Sequence, residues 1–182
     1  SIASLSPEVK TRTILVNTCS KAYAMTGWRI GYAAGPKAII GAMTDIQSQV
    51  TSNPASIAQW AAVEALTGPQ DEIAKMVGEF DHRRRAIIAA LNAIPGVRCA
   101  TPKGAFYAFP NVSGLFGKSW KGGVLKGSVD VCAFLLEEAR IACVAGQDFG
   151  SDAHIRISYA TGIETIREGM RRMHAAVRAL GA

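Results

Sequence analysis

The sequence predicts an α/β fold: a strand-and-helix layer over residues 1–80, followed by a smaller α+β unit over residues 81–182. Three observations predict it. The β-branched run Ile14-Leu15-Val16 has no polar alternation, as expected of a strand covered on both faces in a parallel sheet. Residues 36–94 then carry helical patterns punctuated by proline and glycine. From Val97 onward the elements shorten and alternate between strand and helix signals.

Each element has a local cause. Gly35-Pro36 opens a helix to about Thr51, with Pro36 expected at the first helical position, where its missing N–H costs nothing. Asn53-Pro54 repeats the device for a helix that stops at Gly68-Pro69. Asp71 and Glu72 favour the positive end of a long helix whose apolar stripe runs Ile73, Met76, Val77, Phe80, Ile87, Leu91, Ile94, until Pro95-Gly96 ends it. At 1.5 Å per residue it spans about 36 Å, enough to bridge two domains. Phe106, Tyr107 and Phe109 form a strand after the turn Pro102-Lys103-Gly104, and Gly- and Lys-rich residues 114–127 read as an exposed loop. Ser128 caps a helix through Arg140, and Ile141 to Val144 and Ile155 to Tyr159 are further strands. Thr161 with Glu164 forms a capping box for a last helix whose Ile163, Ile166, Met170, Met173, Val177 and Leu180 share one face.

Composition narrows the function. With 49% hydrophobic and 19% charged residues the chain is ordinary globular material. Lys and Arg number 20 against 14 acids, a net charge of +6 that suits an anionic ligand. The basic residues are scattered, and the densest run, His82-Arg83-Arg84-Arg85, reads as a solvated helix face and not as a nucleic-acid site. The cysteines Cys19, Cys99, Cys132 and Cys143 show no CxxC spacing, so free thiols in a reducing compartment are expected, and His82, His154 and His174 have no metal-ligand spacing. No apolar run reaches transmembrane length and no signal peptide opens the chain, which predicts a soluble, cytoplasmic protein without a membrane partner. The serine start and the strand at residue 14 predict a piece of something longer.

The chemistry concentrates in Thr18-Cys19-Ser20-Lys21-Ala22-Tyr23-Ala24-Met25-Thr26-Gly27-Trp28-Arg29-Ile30-Gly31-Tyr32. Lys21 follows hydroxyl residues at a strand's carboxyl end and is followed eight positions later by Arg29. A neighbouring positive charge disfavours the ammonium form of a lysine, and a neutral amine is a nucleophile. Arg29 offers a planar fork for a phosphate dianion, with the Thr18 and Ser20 hydroxyls completing the cradle. A lysine that condenses with an aldehyde beside a phosphate site meets the requirement of pyridoxal phosphate chemistry. A solvated lysine and a packing arginine are the competing reading. The Ser-x-x-Lys spacing of a hydrolase would need serine at position 18, Cys19 reads as a small buried filler, and Tyr23 and Trp28 read as packing residues.

The segment from Ser20 to Tyr32 resembles the cofactor-attachment segment of class I pyridoxal-phosphate-dependent aminotransferases, in particular the bacterial aspartate aminotransferases. Pro102-Lys103-Gly104-Ala105-Phe106-Tyr107 and His154-Ile155-Arg156-Ile157-Ser158-Tyr159-Ala160 resemble a small-domain turn and strand and the C-terminal arginine strand of the same family. The resemblance implies the C-terminal part of a fold-type I transferase, meaning the end of the large-domain sheet layer plus the small domain. It implies that Lys21 forms the internal aldimine with pyridoxal 5'-phosphate and moves the substrate proton, that Arg29 with Thr18 and Ser20 binds the cofactor phosphate, and that Arg156 holds the substrate's α-carboxylate. Aspartate and 2-oxoglutarate are the implied substrates, and a homodimer the implied assembly. Without the resemblance, Arg156 reads as an arginine paired with a nearby acid. Two positions depart from the family pattern: Thr18 stands where Gly or Ser is usual, and Ala145 where Pro is common.

In this family the acid that pairs with the pyridine nitrogen, the tyrosine on the phenolic oxygen and the aromatic on the ring lie in the first half of the chain, so these residues alone are expected not to transaminate at a useful rate. An effector-sensing domain of a transcription regulator and a lyase on the same fold are the alternatives; a helix-turn-helix module before Ser1 would favour the former and product analysis the latter.

Overall fold

Backbone punctuation sets most of the helix ends in the computed structural model, which describes residues 1–180. The chain divides into two compact units, Ser1–Lys75 and the residues from Met76 onward. In the first, a 3₁₀ turn at Ile2–Ser4 precedes α1 (Pro7–Thr11), capped by the Ser6 hydroxyl on the Val9 N–H. Strand β1 (Leu15–Thr18) leads into the short α2 (Cys19–Ala22), and a 3₁₀ turn at Thr26–Trp28 returns the chain to β2 (Gly31–Ala34). Helices α3 (Lys37–Val50) and α4 (Ser56–Thr67) follow, starting one and two residues after Pro36 and Pro54, and Gly68 closes α4.

The parallel partner and double cover expected for the strand at residues 14–16 are not found among the described residues. β1 pairs antiparallel with β2, in the register Leu15↔Ala34 to Thr18↔Gly31, and Val16 is 75% exposed. A β-branched run specifies an extended backbone, but which strand lies beside it and what covers it are set by distant segments. β2 itself, Gly31-Tyr32-Ala33-Ala34, lacks that run and gave no strand signal.

Helix α5 (Asp71–Asn92) runs 22 residues, about 33 Å, with Asp71 and Glu72 in its first turn and Ile87, Ile88 and Leu91 buried near its end. Beyond it come β3 (Tyr107–Ala108), β4 (Ser119–Trp120), β5 (Gly123–Val124), α6 (Ser128–Ala139), β6 (Val144–Ala145), β7 (Ile155–Ser158) and α7 (Ile163–Ala179). The main sheet has the order β3-β7-β6 and is antiparallel throughout. Ile155 and Ile157 of β7 are buried with Leu91, Ile94, Val97, Leu115, Phe134, Leu135, Tyr159 and Met173 in one core. The stripe expected on α7 is confirmed at Ile166, Met170, Met173 and Val177, and Gly169 is buried with them.

Four local expectations fail in whole or in part. Residues 114–127 are not a loop: β4 and β5 form a hairpin whose turn, Lys121-Gly122, takes positive φ at both residues (48° and 80°), as a two-residue type I′ connection requires. Trp120 docks it on α6, its Nε1 donating to Glu138 at 3.0 Å and its ring meeting Phe134 edge-on at 5.8 Å. Ser128 is not a cap but the first residue of α6. Its buried hydroxyl donates to Asp152 Oδ1 at 2.6 Å, and the same carboxylate oxygen accepts the Ser128 N–H at 2.9 Å, so the cap comes from 24 residues away. Thr161 likewise makes no capping box; Gly162 precedes α7, and Glu164 pairs with Arg167 at 2.6 Å. The strand expected at residues 141–144 begins only at Val144.

Ser128→Ala should lower the unfolding free energy by about 1–3 kcal/mol in urea titration, because the buried Ser128 hydroxyl donates to the Asp152 carboxylate and accepts the Gln147 N–H, and both bonds are lost. The Ser128 hydroxyl and N–H hold the Asp152 carboxyl below its ordinary value of 3.8. That stability is therefore present above this value and lost as the pH falls through the lowered one. Asp152→Asn should flatten the acid limb of the stability profile.

Candidate functional site

The lysine-bearing connection between β1 and β2 is pinned from beneath. Cys19, Met25 and Ile30 are buried with Ala58 and Ala62 of α4, and Tyr23, Ala61 and Ala65 pack around them. The small side chains on α4 permit the close approach, while Thr18, Lys21 and Arg29 stay exposed and Ser20 is half-buried. Cys19 is thus the core filler expected, and Tyr23 packs as expected and hydrogen-bonds Gln70 through its hydroxyl. Trp28, expected to pack, is 44% exposed.

Hydrogen bonds close the ends of the connection on each other. The Thr18 hydroxyl donates to the Ile30 carbonyl at 2.8 Å, accepts the Ser20 N–H at 3.2 Å and shares a hydrogen bond with the Ser20 hydroxyl at 2.9 Å. The Cys19 N–H donates to the same Ile30 carbonyl at 3.3 Å. Thr18 is therefore the N-cap of α2, and Lys21 lies within that single turn. Arg29 sits at the other end, with φ 52° and ψ 46°. A non-glycine residue in the left-handed region is strained and persists where its surroundings over-determine it. Its Nη1 donates to the Thr26 carbonyl at 2.9 Å. The structure thus brings Thr18, Ser20 and the backbone of Ile30 together, with Lys21 and Arg29 on the same connection.

Arg156 belongs to the second unit. It stands on the central strand β7, between the buried Ile155 and Ile157, so strand alternation turns it away from the core. Its guanidinium lies 4.6 Å from the ring centre of Tyr107 and 4.5 Å from that of Phe149, a clamp by two aromatic faces. No carboxylate among the described residues pairs with it. Phe109 completes the aromatic group, edge-on to Phe149 at 6.1 Å and stacked on His154 at 4.8 Å.

Tyr107 and Phe149 were not legible as site residues. Tyr107 carried only a strand signal, and Phe149 reaches the guanidinium because a 3₁₀ turn, Gly146–Phe149, brings it there. That turn depends on Gly146: a Cβ there would lie 2.1 Å from the His154 carbonyl oxygen and 2.3 Å from that of Ser151. The basic run on α5 is accounted for by its own helix, since Arg83 pairs with Glu79 at 2.8 Å and Arg84 and Arg85 both pair with Asp81. The two guanidinium hydrogen bonds hold the Asp81 carboxyl below its usual range.

Lys21 and Arg29 thus lie on one pinned connection of the first unit and Arg156 on a strand of the second, in a mixed α/β chain whose class comparison with known proteins identifies. Residues 1–173 match the family Aminotransferase class I and II, and the chain belongs to that family, whose members use pyridoxal phosphate. The chain is 49% identical over 96% of its length to an aspartate aminotransferase of Rhizobium meliloti, covering 43% of that protein. It is 49% identical over 95% of its length to an aspartate/prephenate aminotransferase of Cereibacter sphaeroides, covering 44% of it. The crystal structure of the aspartate aminotransferase from Rhizobium meliloti matches 98% of this chain with a TM-score of 0.94 at 48% identity, over 45% of that structure. The fold class is therefore the fold-type I one expected, and the chain spans less than half the length of these relatives.

Gly146→Ala should cost about 3 kcal/mol or more, since backbone atoms and not a flexible side chain occupy the space. A lowered urea midpoint together with an altered near-ultraviolet aromatic signal is the expected result.

Proposed function

We propose that the protein acts as a pyridoxal-phosphate-dependent aminotransferase, exchanging the amino group of aspartate with a 2-oxo acid, 2-oxoglutarate. The observation that carries this is the pinned connection that holds Lys21, the Thr18 and Ser20 hydroxyls and Arg29 within one segment. Its donor set suits the cofactor: a guanidinium, hydroxyls and amide N–H groups for a phosphate dianion, and a primary amine for an aldehyde. In this reading residues 1–80 are the end of the cofactor-binding large domain and residues 81–182 the small domain.

The roles follow from the side chains. The Thr18 hydroxyl donates its hydrogen bond to the Ile30 carbonyl and so fixes the turn, while the Ser20 hydroxyl can rotate from Thr18 to an anion. Thr18 in this sense positions the phosphate donors, which accommodates its extra methyl group. Arg29 supplies the paired phosphate contact. When bound, the cofactor supplies an electron sink for the bonds at the substrate's Cα. Lys21 serves twice, its amine holding the cofactor's aldehyde carbon and, once released, taking the Cα proton. Arg156 takes the substrate α-carboxylate, since a clamped guanidinium without an internal acid is preorganised for a carboxylate from outside.

The first unit leaves Val16 and Trp60 75% and 74% exposed, and Ile57 and Val50 with them. Apolar surface of this kind marks a contact face, and in this reading the remaining length seen in the relatives covers it. The homodimer and a cytoplasmic setting complete the proposal. The four free cysteines support a reducing compartment, and no helix among the described residues is long and apolar enough to cross a membrane.

Borohydride reduction after incubation of the full-length enzyme with pyridoxal phosphate should leave the cofactor's mass on the Lys21 peptide, and Lys21→Ala should abolish both that adduct and the visible absorbance band that aspartate bleaches. Cofactor mass on a different lysine would refute the assignment. The 182-residue chain alone should turn over aspartate at a negligible rate, and normal turnover by it would refute the need for the further length. Phe149→Ala removes one face of the guanidinium clamp and should weaken binding of a dicarboxylate ligand by about two- to thirtyfold in titration calorimetry, with the phosphate contacts of the first unit untouched.

A further inference from the structure

Cys132, on α6, and Cys143, the residue before β6, bring their sulfur atoms to 3.3 Å. The approach belongs to the backbone. Arg140 ends α6 in the left-handed region (φ 54°), and the Ile141 N–H donates to the Leu135 carbonyl at 3.0 Å, which folds the chain back so that β6 runs alongside the helix. Both thiols are half-buried, whereas Cys19 and Cys99, 0% and 7% exposed, lie in separate cores. Nothing in the mechanism above uses the pair.

We propose that Cys132 and Cys143 form a modification site, a dithiol that small peroxides convert to an intramolecular disulfide and dithiol reductants restore. A disulfide near 2.05 Å needs the sulfurs to close by about 1.2 Å, within the reach of side-chain rotation. The roles of the two sulfurs differ. The Cys143 S–H donates to Cys132, which pulls the Cys132 thiol below its ordinary range against the opposing effects of burial and the Asp148 carboxylate. That same hydrogen bond, with burial, pushes Cys143 up. Cys132 is thus the attacking sulfur. Its thiolate takes one peroxide oxygen, the O–O bond breaks, and the other oxygen leaves as water after protonation. Cys143 then attacks the resulting sulfenic sulfur, loses its proton and displaces the hydroxyl as a second water. Two electrons pass from the two sulfurs to the peroxide.

Cys143 precedes Val144, the register partner of Arg156, so the bridge ties α6 to the strand pair that carries this arginine. An effect on carboxylate binding rests on the reading of Arg156 given above; formation of the bridge does not, and the following experiment reads the bridge alone. The purified protein is treated with hydrogen peroxide, unfolded, alkylated with iodoacetamide and digested. Alkylatable thiols should fall from four to two, with one peptide pair joined through Cys132 and Cys143, and dithiothreitol should restore all four. Cys143→Ser should leave Cys132 as a sulfenic acid captured by dimedone, and Cys132→Ser should keep its three remaining thiols alkylatable. Retention of four thiols, a bridge to Cys19 or Cys99, over-oxidation without a bridge, or a disulfide between two molecules would each overturn the proposal.

Discussion

The antiparallel pairing of β1 with β2 is the constraint on which the lysine site depends. Thr18 and Gly31 face each other in register, so everything between them must leave and re-enter the sheet at one point. The chain meets that demand by burying Cys19, Met25 and Ile30 on the small residues of α4, and by sending both the Thr18 hydroxyl and the Cys19 N–H to the Ile30 carbonyl. Burial of those apolar side chains and satisfaction of those backbone groups leave little freedom for the polar residues between them. Ala24 and Arg29, with φ 54° and 52°, are the left-handed residues within this closure.

A different arrangement serves Arg156. The two-residue period of β7 sets its isoleucines into the core and the arginine outward, and the neighbouring strand supplies Tyr107. The second ring comes from a turn that passes so near the backbone of Ser151 and His154 that only glycine fits at position 146. Aromatic faces hold a guanidinium in place without neutralising it, which an ion pair with an internal acid would do. A cation so held keeps its charge for a ligand.

The two units contrast in how they use their apolar residues. The second buries a continuous core from Ile87 to Val177. The first buries five residues in its own cluster and leaves large side chains of α3 and α4 in solvent. The same contrast explains why the apolar run Ile14-Leu15-Val16 promised a covered strand while the described residues show an open one.

What the sequence determined by itself is local or carried by a dense motif. Helices α3, α4, α5 and α7 were legible because proline, glycine and first-turn acids act on the residues next to them, and because the 3.6-residue stripe of α7 survives into the core. The family was legible in the run from Ser20 to Tyr32, where many residues match at once. The tertiary structure alone decided whatever couples distant positions: the pairing of β1 with β2, the capping of α6 by Asp152, the hairpin docked through Trp120, the rings around Arg156 and the meeting of Cys132 with Cys143. Such contacts depend on where the backbone brings two segments, and no spacing along the chain encodes that position.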